Sequence, residues 1–84
     1  MNYEAVFLNT FLKRFKKLPE NQQERVKERA QQLAENPYLG LRLKGQLEGF
    51  WKDRVGDYRI IYKVEENNKR IVFYDMDLRK KVYE

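Results

Sequence analysis

Two strand-like runs, Phe50 to Val55 and Tyr58 to Glu65, are separated by only Gly56-Asp57. A connection that short makes an antiparallel hairpin, and glycine at its first central position supplies the positive φ such turns require. The turn length fixes the register. Val55 lies opposite Tyr58, Arg54 opposite Arg59, Asp53 opposite Ile60, Lys52 opposite Ile61 and Trp51 opposite Tyr62. Directly opposed residues share a face. One face therefore carries Trp51, Val55, Tyr58, Ile60, Tyr62 and Val64, and the other Lys52, Arg54, Arg59, Ile61 and Lys63. The first can pack on helices and the second is cationic. Like charges set directly across a sheet are destabilising, so Arg54 opposite Arg59 points to an anion held between them.

A third strand, Ile71 to about Leu78, follows the polar loop around Asn67-Asn68. A three-residue loop, Asn67 to Lys69, would pair Glu66 with Arg70. Val72, Tyr74, Met76 and Leu78 then fall on the core face, and Asp75, Asp77 and Arg79 on the cationic one, with Asp77 nearly opposite Arg59. A loop one residue shorter would bury both aspartates against the helices at high cost.

Upstream, Tyr3 to Leu8 reads as a first strand, followed by the helix-capping residues Asn9-Thr10. Leu8, Phe11, Leu12 and Phe15 have the spacing of one helical face, with Lys13, Arg14, Lys16 and Lys17 pointing elsewhere. Pro19 suits the first turn of a second helix, whose stripe of Val26, Ala30, Leu33 and Ala34 runs to Asn36-Pro37. From Tyr38 to Gly49 periodicity is lost, giving a loop that Leu39, Leu41, Leu43 and Leu47 are expected to anchor to the core. The expectation is one α+β domain over residues 1–84: an N-terminal strand, a helix hairpin and a three-stranded antiparallel meander, β-α-α-β-β-β.

Composition narrows the chemistry. The 84 residues are 42% hydrophobic, enough for one small core, and include no cysteine and no histidine. Disulfides, thiolate nucleophiles, zinc sites of the usual ligand set and imidazole acid–base catalysis drop out, and neither a metal nor a cofactor is expected. Eighteen basic residues against thirteen acidic ones leave a formal charge of +5, which favours anionic partners. No apolar run approaches the roughly 20 residues of a membrane span, and the amino terminus lacks a secretory pattern, so a cytoplasmic protein without membrane contact is expected.

Several blocks carry a more specific signal: Leu43-Lys44-Gly45, Trp51-Lys52-Asp53-Arg54, Val55-Gly56-Asp57-Tyr58-Arg59-Ile60-Ile61-Tyr62 and the terminal Arg79-Lys80-Lys81-Val82-Tyr83. With the order of elements, they resemble the RelE/ParE toxins of type II toxin–antitoxin systems over essentially the whole chain. The resemblance implies a ribosome-dependent endoribonuclease that cuts mRNA in the decoding site. It implies a RelB-like antitoxin as cognate partner, ribosome and mRNA as targets, and a toxin–antitoxin heterotetramer as the assembly. A ParE-like inhibitor of DNA gyrase is the alternative within the same fold. A catalytically weak homologue that only binds antitoxin or RNA is another.

Carried over residue by residue, Arg59 and Arg79 match phosphate-binding arginines, Lys52 and Arg54 match basic residues that position the backbone and assist proton transfer, and Tyr83 matches a carboxy-terminal catalytic tyrosine. Arg42, Lys44, Lys63, Lys80 and Lys81 complete the expected RNA-binding set. The chain departs from the pattern in one place: Met76-Asp77-Leu78-Arg79 stands where many members have Ile-Gly-His-Arg. Asp77 beside Arg59 would withdraw positive charge from a substrate phosphate and attenuate the activity.

Overall fold

The computed structural model describes residues 2–78. The elements are β1 (Glu4–Phe7), α1 (Asn9–Lys16), α2 (Glu20–Glu35), β2 (Leu41–Arg42), β3 (Phe50–Val55), β4 (Tyr58–Glu65) and β5 (Arg70–Leu78), with short 3-10 turns at Pro37–Leu39 and Gly45–Leu47. The strands form one five-stranded sheet in the order β1-β5-β4-β3-β2. β1 pairs parallel with β5, and the other pairs are antiparallel. The helix hairpin connects β1 to the meander and covers one face of the sheet. Phe11, Val26, Ala30 and Leu33 meet Val55, Ile60, Tyr62, Ile71, Phe73 and Met76 in the core. The α+β architecture and its single helix hairpin are those expected from the sequence.

The helix ends differ from the expectation in their chemistry. Leu8 occupies the N-cap of α1 without a side-chain cap bond, and Thr10 is already helical. Instead of capping, the Thr10 hydroxyl donates to the backbone carbonyl of Tyr74 and ties α1 to β5. Pro19 is the N-cap of α2 rather than a residue of its first turn. Gln23 closes the hairpin by donating to the carbonyls of Phe15 and Leu18 at 3.2 Å each, tying α2 to the end of α1 and the turn that follows it.

The β3–β4 register is the one the two-residue turn dictates, and Gly56 sits at φ +60°. The β4–β5 register differs in part. The loop holds four residues, Glu66 to Lys69, so Glu65 and not Glu66 pairs with Arg70. Ile71 and Phe73, each 0% exposed, therefore face the core in place of Val72 and Tyr74. A β-bulge then shifts the register: Tyr62 opposes Phe73 and Ile61 opposes Asp75, leaving Tyr74 as the extra residue. Beyond it Met76 packs in the core and Asp77 opposes Arg59, as expected. Asp75 opposes Ile61 of the cationic face, as expected, and its carboxylate pairs with Arg14 of α1 at 3.0 Å.

The region after α2 also departs from a plain loop. Leu41 and Arg42 add an edge strand to β3, while Leu39, Leu41 and Leu47 are 47%, 66% and 51% exposed and do not anchor the segment. The anchor is Tyr62, fully buried, whose hydroxyl donates to the Pro37 carbonyl at 2.7 Å. Burial raises its pKa to about 12. Gly40 lies against the same hydroxyl and against the Lys52 carbonyl, and a methyl group there would overlap both.

Candidate nucleic-acid interface

The helices cover one face of the sheet and leave the other open. On that outer face the strands set residues in cross-strand rows. Arg54, Arg59 and Asp77 form one row, and Leu41, Lys52, Ile61 and Asp75 the next. Phe50, Lys63 and Val72 form a third row farther from the Gly56-Asp57 turn. Cross-strand neighbours on one face have Cβ atoms about 5 Å apart, so Arg54 and Arg59 stand as a directly opposed pair of basic side chains. Lys52 follows Arg54 two residues back along β3 on the same face. The structure thus brings together Lys52, Arg54 and Arg59, and among the described residues no carboxylate pairs with Lys52 or Arg54.

Arg59 is the exception. Its Nη2 donates to Asp77 Oδ2 at 3.4 Å, with side chains 29% and 39% exposed. That distance is long for a charge-assisted hydrogen bond, which is about 2.7–2.9 Å when well formed. Arg59 Nε and Asp77 Oδ1 are buried with no hydrogen-bond partner among the described residues. The carboxylate therefore partly neutralises Arg59 and leaves some of its donors unused.

The remaining expected residues scatter. Lys63 lies on the outer face, with its ammonium 5.3 Å from the centre of the Phe50 ring. Arg42 lies on the opposite face, where its guanidinium sits 5.8 Å from the centre of Trp51, its partner across the β2–β3 pair. Lys44 is exposed at the N-cap of the Gly45–Leu47 turn, off the sheet. Arg79, Lys80, Lys81 and Tyr83 lie outside the described residues.

Sequence reasoning passed over three features that shape this face. Asp53 points to the helices, where Arg29 of α2 grips it from Nε at 2.5 Å and Nη2 at 3.3 Å. Asp53 is 12% exposed, and its hydrogen bond raises the Arg29 pKa against the effect of burial. The alternation of β3 held the signal for it, since Asp53 shares the face of Trp51 and Val55. Arg14 with Asp75 is the second feature. The third is the Phe50–Tyr74 ring pair, which the bulge brings onto the outer face. Among the described residues no group of three or more potential metal ligands occurs.

Solved structures share this architecture. The toxin–antitoxin complex RelBE2 from Mycobacterium tuberculosis contains a chain that is 28% identical, with a TM-score of 0.89 over 96% of this chain and 95% of that one. The archaeal RelE–RelB complex from Pyrococcus horikoshii OT3 matches at 26% identity and TM-score 0.80, over 98% and 100% of the two chains. The isolated RelE toxin of E. coli, 20% identical with a TM-score of 0.82 over 95% and 87%, shares the fold. No curated protein sequence matches the chain. The fold is thus that of the RelE/ParE superfamily of toxins. A family model described as the ParE toxin of type II toxin-antitoxin system, parDE, matches residues 5–83, and the chain belongs to that toxin family.

Proposed function

We propose that the protein is a ribosome-dependent endoribonuclease that cleaves mRNA on its open sheet face and is held in check by a cognate antitoxin. The observation that carries this reading is the Arg54–Arg59 pair, set opposite each other with Lys52 alongside on a face that no helix covers. Two guanidinium groups so placed repel until an anion lies between them, and a phosphodiester fits that need.

In the reaction the ribose 2′-oxygen bonds to the adjacent phosphorus while the bond to the 5′-oxygen breaks. The 2′-hydroxyl proton goes to a base and the leaving oxygen receives one. Arg59 and Arg54 stabilise the extra negative charge on the phosphorane, and Lys52 positions the backbone and assists proton transfer. Arg79 takes the leaving-group or phosphate contact and Tyr83 the acid–base or stacking role. Lys63 extends the cationic track along β4, and Lys44, Lys80 and Lys81 extend RNA contact beyond the sheet. Arg42 belongs to that set only through contacts made from the other face. Asp77 competes with the phosphate for Arg59 and lowers the rate.

A RelB-like antitoxin is the partner that the complexes of the relatives suggest. Mapping mRNA ends on translating ribosomes, with and without the purified protein and with its neighbouring gene product added back, tests the reading. New ends that vanish on adding the partner support it. Inhibition of DNA gyrase, the alternative carried by the resemblance to ParE, is the second reading, since the matching family model is that of a ParE toxin. Loss of gyrase supercoiling activity with intact mRNA would select it.

A further inference from the structure

The open face has an aromatic half that phosphate binding leaves unused. Phe50 at the start of β3 and Tyr74 at the bulge of β5 meet edge to face above β4, with ring centres 4.9 Å apart and planes at 83°. Lys63, opposite Phe50 in the pairing, holds its ammonium over the Phe50 ring. Neither ring packs with the core beneath the helices, and both remain partly exposed. Val72 lies in the same row and is only 6% exposed although it stands outside that core, so its cover is on the outer side. Lys63 is four residues along β4 from Arg59, about 13 Å at the rise of a strand. That separation lies within the span of a few nucleotides of extended RNA.

We infer that Phe50 and Tyr74, flanked by Lys63, form a stacking subsite for an unpaired nucleobase of the RNA whose phosphate lies on the Arg54–Arg59 row. Single strands are held by a cationic track for the backbone and aromatic surfaces for the bases, and this face offers both at adjoining positions. The ammonium over Phe50 marks where a ring face is available: Lys63 swings to a neighbouring phosphate as the base takes its place. The inference rests on the RNA reading of the face, and its test separates the two.

The probe is a short single-stranded RNA and the same oligonucleotide with its bases removed at successive single positions, titrated at low salt by fluorescence anisotropy. Leucine at both positions, Phe50→Leu with Tyr74→Leu, keeps an apolar cover over Val72 and removes the aromatic faces. The wild-type protein should bind the intact RNA roughly tenfold more tightly than the oligonucleotide lacking the critical base, and the double leucine variant should bind both alike. Equal wild-type affinity for intact and abasic RNA overturns the subsite, whatever the behaviour of the variant. So does a variant that weakens both probes equally, or one that leaves RNA binding unchanged while weakening the complex with the antitoxin. Arg54→Ala with Arg59→Ala is the independent arm. If it weakens both probes, the phosphate reading stands even when base dependence is absent, and if it weakens neither, the phosphate reading fails even when base dependence is present.

Discussion

If the open face is the proposed nuclease site, Asp77 is the residue on which its activity turns. Its carboxylate is 3.4 Å from Arg59 and reaches it because the bulge restores the register in which the two oppose each other. Both side chains keep about a third of their surface in water, so the pair is worth about 1 kcal/mol or less and the restraint on catalysis should be severalfold. Asp77→Asn removes the charge and keeps the shape. It should raise the rate of mRNA cleavage severalfold, and the gain should disappear when Arg59→Ala is added. An equal gain without Arg59 would mean that Asp77 acts elsewhere. Leu78, 51% exposed, stands opposite Tyr58 on the other side of the strand.

At the scale of elements, legibility followed the connections. The β3–β4 pairing was readable to the residue because a two-residue turn leaves one register. The β5 pairing was readable only beyond Tyr74. Ile71 to Tyr74 are four apolar residues in a row, so no alternation says which pair faces the core. The bulge leaves no mark in composition either. The errors at Val72 and Tyr74 therefore cancel by Met76, and the pairing of Arg59 with Asp77 is legible although half of the strand is inverted. β2 escaped notice because two residues carry no period, and the anchor of its segment was a tyrosine assigned simply to the core.

That anchor and the helix clamp yield two measurable consequences. Tyr62 titrates at about 12 because its hydroxyl is buried, above the ordinary tyrosine value of about 10. A raised folded-state pKa stabilises the fold fully below pH about 10, and that contribution is lost as pH rises through about 12. Alkaline unfolding followed by circular dichroism should steepen in this window, and Tyr62→Phe should flatten it while costing about 1 kcal/mol at neutral pH for the lost bond to Pro37. Asp53→Ala should destabilise the protein by about 1–2 kcal/mol in urea unfolding, because Arg29 loses both hydrogen bonds but keeps access to water. No loss would show that the helix hairpin docks without the clamp.

Over the whole molecule, the charge of +5 is divided by the sheet. Arg14 and Arg29 of the helices are taken up by Asp75 and Asp53, and Glu65 on the open face by Arg70, while Lys52 and Arg54 on that face have no carboxylate partner among the described residues. RNA or ribosome binding should therefore fall steeply with salt, and the dependence should shrink in the Arg54→Ala, Arg59→Ala double variant. An unchanged dependence would place the phosphate contacts elsewhere. Among the described residues no helix is long and apolar enough to cross a membrane.

The proposed function requires that this face cut RNA and not merely bind it. The most direct measurement is the rate of mRNA cleavage on programmed ribosomes for the wild-type protein and for the Arg54→Ala, Arg59→Ala double variant at saturating protein. The wild type should cleave and the variant should lose about tenfold or more, since removing groups that stabilise transition-state charge lowers the chemical step even when binding is saturated. No cleavage by the wild type with or without Asp77→Asn, or cleavage undiminished in the double variant, would contradict the proposed function.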